Sequence, residues 1–254
     1  MPEYSEIVTR LRAAGCVFAE DEARLIIETA APDERAAMVE RRAAGLPLEH
    51  VLGWAAFGGL RIHVDPGVFV PRRRTEFLLS EALAHPAPRP LVVDLCCGTG
   101  ALGAAFAAAR PGADVYAADV DPAAVACARR NLPPERCLTG DLFAPLPAGL
   151  RGRVDVLLSN VPYVPTGDIE LLPSEARDHE ARVALDGGGD GLDLLRRVAA
   201  EAPAWLAPGG LLLFETTERQ APEACAAVAA HGLAPRVARC DYATVIVAAR
   251  PAAS

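Results

Sequence analysis

No lysine occurs in the chain, and all 25 basic residues are arginine. Acidic residues outnumber them at 33, giving a formal net charge of −8. That sign disfavours a protein held on nucleic acid mainly through phosphate charge. No C-x-x-C pair is present, and the seven cysteines, at 16, 96, 97, 127, 137, 225 and 240, are odd in number. Neither a disulfide framework nor a zinc site is expected, and a reducing cytoplasm is the expected compartment. No apolar run approaches the roughly 20 residues of a membrane helix. The segment Met1 to Arg12 carries charges of both signs without an apolar core, so no secretory signal is expected. What remains is a chain of 254 residues, 52% hydrophobic, long enough for one large α/β domain with a small appendage.

Glu6–Ala14, Asp21–Ala30 and Asp33–Ala44 place apolar residues at helical spacing, with Pro32 at a first helical position and Gly45 and Pro47 as stops. Phe57 to Val64 reads as a strand or as a hairpin with a turn at Gly58-Gly59. The stiff segment His85-Pro-Ala-Pro-Arg-Pro90 lies in the region, 65 to 90, where the main boundary is expected. Apolar runs follow at 91–95, 115–120, 154–160, 209–215 and 244–250. Between them fall helical stretches from Ala101 to Arg110, from Asp121-Pro122 to Asn131, and at 189–206 and 219–231. That alternation predicts a doubly wound, largely parallel sheet.

Asp94-Leu-Cys-Cys-Gly-Thr-Gly100 closes the first run and opens a helix. Glycines there let the backbone turn tightly and approach a ligand, with helix N–H groups facing it. A βα turn without a ligand is the plain alternative. Asp119 ends the next run, about twenty residues on, where a carboxylate can accept both hydroxyls of a ribose; its alternative is a solvated strand end. Together they favour a nucleoside-containing cofactor. Gly98-Thr-Gly100-Ala-Leu-Gly103 has the G-x-G-x-x-G spacing, but Asp94 beside it would repel a pyrophosphate. An acid beside the turn suits a positive amine or sulfonium, and S-adenosylmethionine bears both. Ser159-Asn160-Val161-Pro162-Tyr163 follows a later run and offers an amide acceptor, backbone carbonyls and a flat ring; an ordinary proline turn is its alternative.

With these motifs in order, the chain resembles the protein-(glutamine-N5) methyltransferase family, the release-factor glutamine methyltransferases often called HemK or PrmC. The family's P-R-x-x-T-E matches Pro71-Arg-Arg-Arg-Thr-Glu76, and its connector is similar to Pro47–Gly53 and Phe57–Leu60. Its glycine motif and strand-end acid match 94–100 and Asp119, and Gly140-Asp-Leu-Phe143 is similar to its adenine-side loop. N-P-P-Y falls on Asn160-Val-Pro-Tyr163; Pro173–Glu180, Ala184–Leu192, Pro208-Gly-Gly210 and Glu215 complete the series.

The resemblance implies an α/β fold: a doubly wound, mostly parallel seven-stranded sheet of the Rossmann-like class I methyltransferase type, with a small N-terminal helical domain. It implies a substrate-recognition domain with a hairpin connector at 1–65, a connector and linker at 66–90, and an S-adenosylmethionine-dependent domain at 91–254. Asp94, Cys96, Gly98, Gly100, Asp119, Asp141, Leu142 and Asn160 are implied to bind the cofactor. Asn160, Val161, Pro162 and Tyr163 are implied to hold the acceptor, with Asn160, Pro162 and Tyr163 catalytic. The implied partner is a protein such as a peptide release factor. A monomer is expected, with no metal, membrane or nucleic acid. In this reading Asn160 Oδ1 and the carbonyl of residue 161 accept the two N–H bonds of an amide, and Tyr163 packs on its plane.

Three departures suggest a divergent paralogue. N-P-P-Y is N-V-P-Y, the family's first loop glycine is Cys96, and Asp241-Tyr-Ala-Thr-Val lacks the expected Gly and Arg. Val161 keeps its carbonyl and the restriction from Pro162 but loses a fixed φ and gains an N–H. That predicts a weaker or differently shaped acceptor pair. The competing functions are N-methylation of a nucleic-acid base amine or of a small metabolite, and a non-catalytic S-adenosylmethionine-binding paralogue. His50 and His63 read as packed or solvated, and Cys96 and Cys97 as space-filling. Arg72–Arg74 reads as a structural or solvated patch, and Asp186–Asp190 as a turn whose Asp190 caps the next helix.

Overall fold

Four helices open the computed structural model, which describes residues 2–252: α1 (Pro2–Ala13), α2 (Ala19–Thr29), α3 (Pro32–Ala43) and the short α4 (Leu48–Leu52). Their apolar stripes, among them Leu11, Ala23, Ile26 and Val39, close on Val51 and Leu52 in one cluster. Pro32 stands in the first turn of α3, where a missing N–H leaves no bond unmade. Strands β1 (Trp54–Phe57) and β2 (Leu60–His63) pair antiparallel around Gly58-Gly59, the hairpin of the two sequence readings. Helix α5 (Glu76–Leu83) follows.

The remaining elements are β3 (Leu91–Leu95), α6 (Ala101–Ala109), β4 (Asp114–Asp119), α7 (Pro122–Ala128), β5 (Cys137–Thr139), β6 (Val154–Ser159), α8 (Ser174–His179), α9 (Asp193–Trp205), β7 (Leu206–Thr216), α10 (Ala221–Ala229), β8 (Ala234–Cys240) and β9 (Ala243–Ala249). Among the described residues they form a seven-stranded sheet ordered β5-β4-β3-β6-β7-β9-β8. Strands β3 to β7 run parallel, and β9 lies antiparallel between β7 and β8. Successive residues face opposite sides: Val93 and Leu157 join one core with Trp205 and Phe143, while Val92 and Leu158 join the other with α6. A sheet buried on both faces needs such near-continuous apolar strands. Chain order reverses between β3 and β6, which opens a crevice at their carboxyl ends.

Boundaries differ from the sequence reading where side chains intervene. Helix α7 stops at Ala128, three residues before Asn131, whose amide leaves to bond His63 and Thr99. Helix α9 starts at Asp193 because Gly188 and Gly191 take φ values of 89° and 80°. Strand β7 begins at Leu206, its pairing with β6 shifted between Val154 and Val156. Elements α4, α5, α8, β5 and β8 have no counterpart in the sequence reading. No helix among the described residues is long and apolar enough to cross a membrane.

Candidate active site

The crevice is a cavity of about 950 Å³. Asp94, Cys96, Gly98, Asp119, Asp141, Leu142 and Asn160 to Tyr163 all line it. Gly100 stands behind the wall. It caps α6 at φ 74°, and a Cβ there would press on Leu132 at 3.0 Å, so its part is in the turn.

Asp94, one residue before the end of β3, is almost fully buried and accepts the Gly103 N–H at 2.9 Å. Burial, with help from the nearby Asp119 charge, pushes its carboxyl up to about 8. Asp119 ends β4 and accepts N–H groups from Gly98 and Asp121, both at 2.9 Å. Burial raises its carboxyl too. An ionised carboxylate has about four lone-pair sites, so both oxygens retain capacity toward the cavity. Cys96 and Leu142 adopt φ values of 53° and 48°, left-handed conformations that favour glycine. Burial and the charges of Asp119, Asp94 and Asp141 drive the Cys96 thiol up, away from nucleophilic behaviour. Asp141 pairs with Arg197 of α9 at 2.5 Å.

After β6, Asn160 Oδ1 is buried and, among the described residues, has no hydrogen-bond partner. A buried acceptor left unmade costs about 1–3 kcal/mol, so it reads as a group kept for a ligand. Val161 is buried as well. Tyr163 Oη donates to Glu215 Oε1 at 2.6 Å and accepts from Arg74 Nη2 at 2.8 Å. Its carbonyl accepts from Gln220 Nε2 at 2.9 Å, and the same amide group donates to Asp190 O at 3.0 Å. The glycine loop lies against this backbone: a Cβ at Gly187 would fall 2.7 Å from the Pro162 carbonyl, and one at Gly191 would collide with that of Tyr163.

The arginines of 72–74 largely bind internal partners. Arg72 forks onto both oxygens of buried Glu180 at 2.6 and 2.7 Å, and Arg74 reaches Glu215 at 2.7 Å. Thr75 Oγ1 donates to the other Glu215 oxygen, and Glu76 accepts the Gly58 N–H. His50 is buried with Nε2 2.8 Å from Val68 O, a packed histidine. Asp190 accepts the Leu192 N–H just ahead of α9. The cavity is also lined by Val68, Phe69, Leu172, Pro173, Ala176 and Arg182–Leu185, none of which the sequence singled out individually for chemistry. Arg197, inside α9 on the cavity wall, and Gln220, which holds the Tyr163 carbonyl from the start of α10, were missed as well, since their partners lie on other elements.

The sequence model of the "Methyltransferase small domain" family matches residues 59–192. A release factor glutamine methyltransferase of Deinococcus radiodurans is 39% identical over 239 residues, 86% of each chain. Another, of Geobacter sulfurreducens, is 42% identical over 193 residues, 72% of this chain and 66% of its own length. The chain thus spans just under two thirds of that second relative. Among solved structures, a methyltransferase from Pyrococcus furiosus superimposes with a TM-score of 0.58 over 86% of this chain and 99% of its own, at 18% identity. That likeness shows a shared methyltransferase fold.

Proposed function

Because the chain belongs to the release factor glutamine methyltransferase family, we propose that it methylates the side-chain amide nitrogen of a glutamine in a protein such as a peptide release factor. The methyl donor in this reading is S-adenosylmethionine. The observation that carries the proposal is Asn160 on the cavity wall, its buried Oδ1 without a hydrogen-bond partner among the described residues. An amide N–H is the donor that such an oxygen lacks.

The residues present fit the cofactor. Asp119 offers a carboxylate to ribose hydroxyls, and Asp94 offers a buried one to a cationic end. Asp141 and Leu142, which line the cavity beside Arg197, would hold the adenine. When bound, the cofactor supplies a methyl group made electrophilic by a positive sulfur. The protein's share is binding and orientation, which can contribute about 7–11 kcal/mol to an in-line displacement. An amide nitrogen is a weak nucleophile because its lone pair is delocalised into the carbonyl. Asn160 Oδ1 and the carbonyl of Val161 accept its two N–H bonds, fix its plane and push electron density onto nitrogen. Tyr163 packs its ring on that plane. No side chain need act as a strong base, since the proton can leave after transfer. The helices before residue 65 serve as the resting surface for the protein substrate, and the methyltransferase domain begins near residue 91.

The test is transfer of a radiolabelled methyl group to purified release factors, free glutamine and a cell extract offered in parallel, followed by mass spectrometry of labelled species. Label on a glutamine side chain within a protein is the expected result. Label confined to nucleic acid or a metabolite, or no label at all, overturns it.

A further inference from the structure

A ring on a loop has two soft side-chain torsions, and it serves as a wall only if something stops it turning. The Tyr163 hydroxyl is held from two directions, by Glu215 of β7 and by Arg74 from the turn before α5. Glu215 is itself fixed: its carboxylate, with 3% of the side chain exposed, accepts from Arg74 Nε, Thr75 Oγ1 and Tyr163 Oη. Charge-assisted bonds of this kind are short and roughly twice as strong as neutral ones. The triad therefore joins the loop after β6, the sheet and the 71–76 segment, and its centre, the buried Glu215, stands behind the residues that line the cavity.

We propose that Glu215 is a positioning residue for the acceptor: with Arg74 it locks the Tyr163 ring beside Asn160, so that the acceptor is presented in one plane. This rests on the amide-transfer reading above. The competing role is purely structural, with Glu215 fastening α5 to the sheet through Thr75. The two roles separate because Thr75 bonds Glu215 and, among the described residues, makes no hydrogen bond to Tyr163.

The experiment uses the full chain labelled with 3-fluorotyrosine, read by fluorine NMR, with the Tyr163 line assigned by its loss in Tyr163→Phe. In the parent that line should be a single one, distinct from those of exposed tyrosines. Glu215→Ala should broaden or move it, Glu215→Gln should restore it by keeping an acceptor oxygen, and Thr75→Val should leave it unchanged. Arg74→Met, which removes the other hold on the phenol from a partly exposed site, should also move it and serves if Glu215→Ala does not fold. An unmoved Tyr163 line in Arg74→Met and in a folded Glu215→Ala, or an equal shift in Thr75→Val, overturns the proposal.

A kinetic arm adds the consequence. Glu215→Ala and Tyr163→Phe should each lower kcat/KM for the acceptor by about tenfold, with cofactor Kd by calorimetry within about twofold. The double variant should be no worse than either alone, because both remove one interaction. Multiplying losses would speak for a structural role and against positioning. A parent that methylates no glutamine substrate removes the functional reading, while the NMR arm still decides whether Glu215 holds the ring.

Discussion

Asp94, buried, and Asp119, half-buried, illustrate two uses of a carboxylate on one wall. A carboxylate accepting two hydroxyl bonds gains about 1.5–3 kcal/mol from each. Asp119→Ala should therefore weaken S-adenosylmethionine binding by about one to two decades, measured by calorimetry, with the fold retained. Asn160→Ala should lower turnover while leaving cofactor affinity within a few-fold. For Asp94 the sign of the pH dependence follows from burial. Its carboxyl is pushed up to about 8 in the folded chain, against about 4 in an unfolded one. Between those values the native state holds a proton that the unfolded state has lost, so stability is full below pH ~4 and declines as pH rises toward 8. Thermal melts of the ligand-free protein should fall over that window, and Asp94→Asn should flatten the decline. A cation bound beside Asp94 favours the ionised form, so cofactor binding near pH 7 should release a proton, read from calorimetry in buffers of different ionisation enthalpy. The sequence showed Asp94, Asp119 and Asn160 because each is a polar residue closing an apolar run. Glu215 was visible only as part of a family pattern, and Gln220 was not visible at all, because its partners lie on other elements.

Strands read as apolar runs were legible where burial on both faces made the run continuous, as in 91–95 and 154–159. Strand β5 has three residues, too few for any period, and edge strand β8 mixes arginine and proline into its pattern. The glycine-rich loop at 187–191 was legible as a turn, yet its purpose appears only in three dimensions. Gly191 sits at φ 80° with the Tyr163 carbonyl where a side chain would go. Gly191→Ala should lose about 2 kcal/mol or more in denaturant unfolding, from a left-handed alanine plus the clash. Transfer should fall with it, because the displaced backbone carries Tyr163.

Contacts between distant parts of the chain leave no local trace, and the ties of the opening helices are of this kind. Arg42 of α3 bonds both oxygens of buried Glu22 at 2.6 and 3.0 Å and reaches Glu175, a cavity-lining residue of α8, at 2.6 Å. Arg42→Leu would leave Glu22 buried without its cation. It should destabilise the chain by about 3 kcal/mol or more in urea titration, the usual penalty for halving a buried pair. The parallel sheet has a consequence for engineering as well. Every group assigned here to binding lies at the carboxyl edge, while the exposed residues Pro147, Ala148 and Gly149 lead into the opposite end of β6. A fluorescent reporter spliced between Ala148 and Gly149 should fold as a guest and leave ligand affinity unchanged. The edge remote from the chemistry is thus a socket, and the protein can be instrumented there without disturbing what it grips.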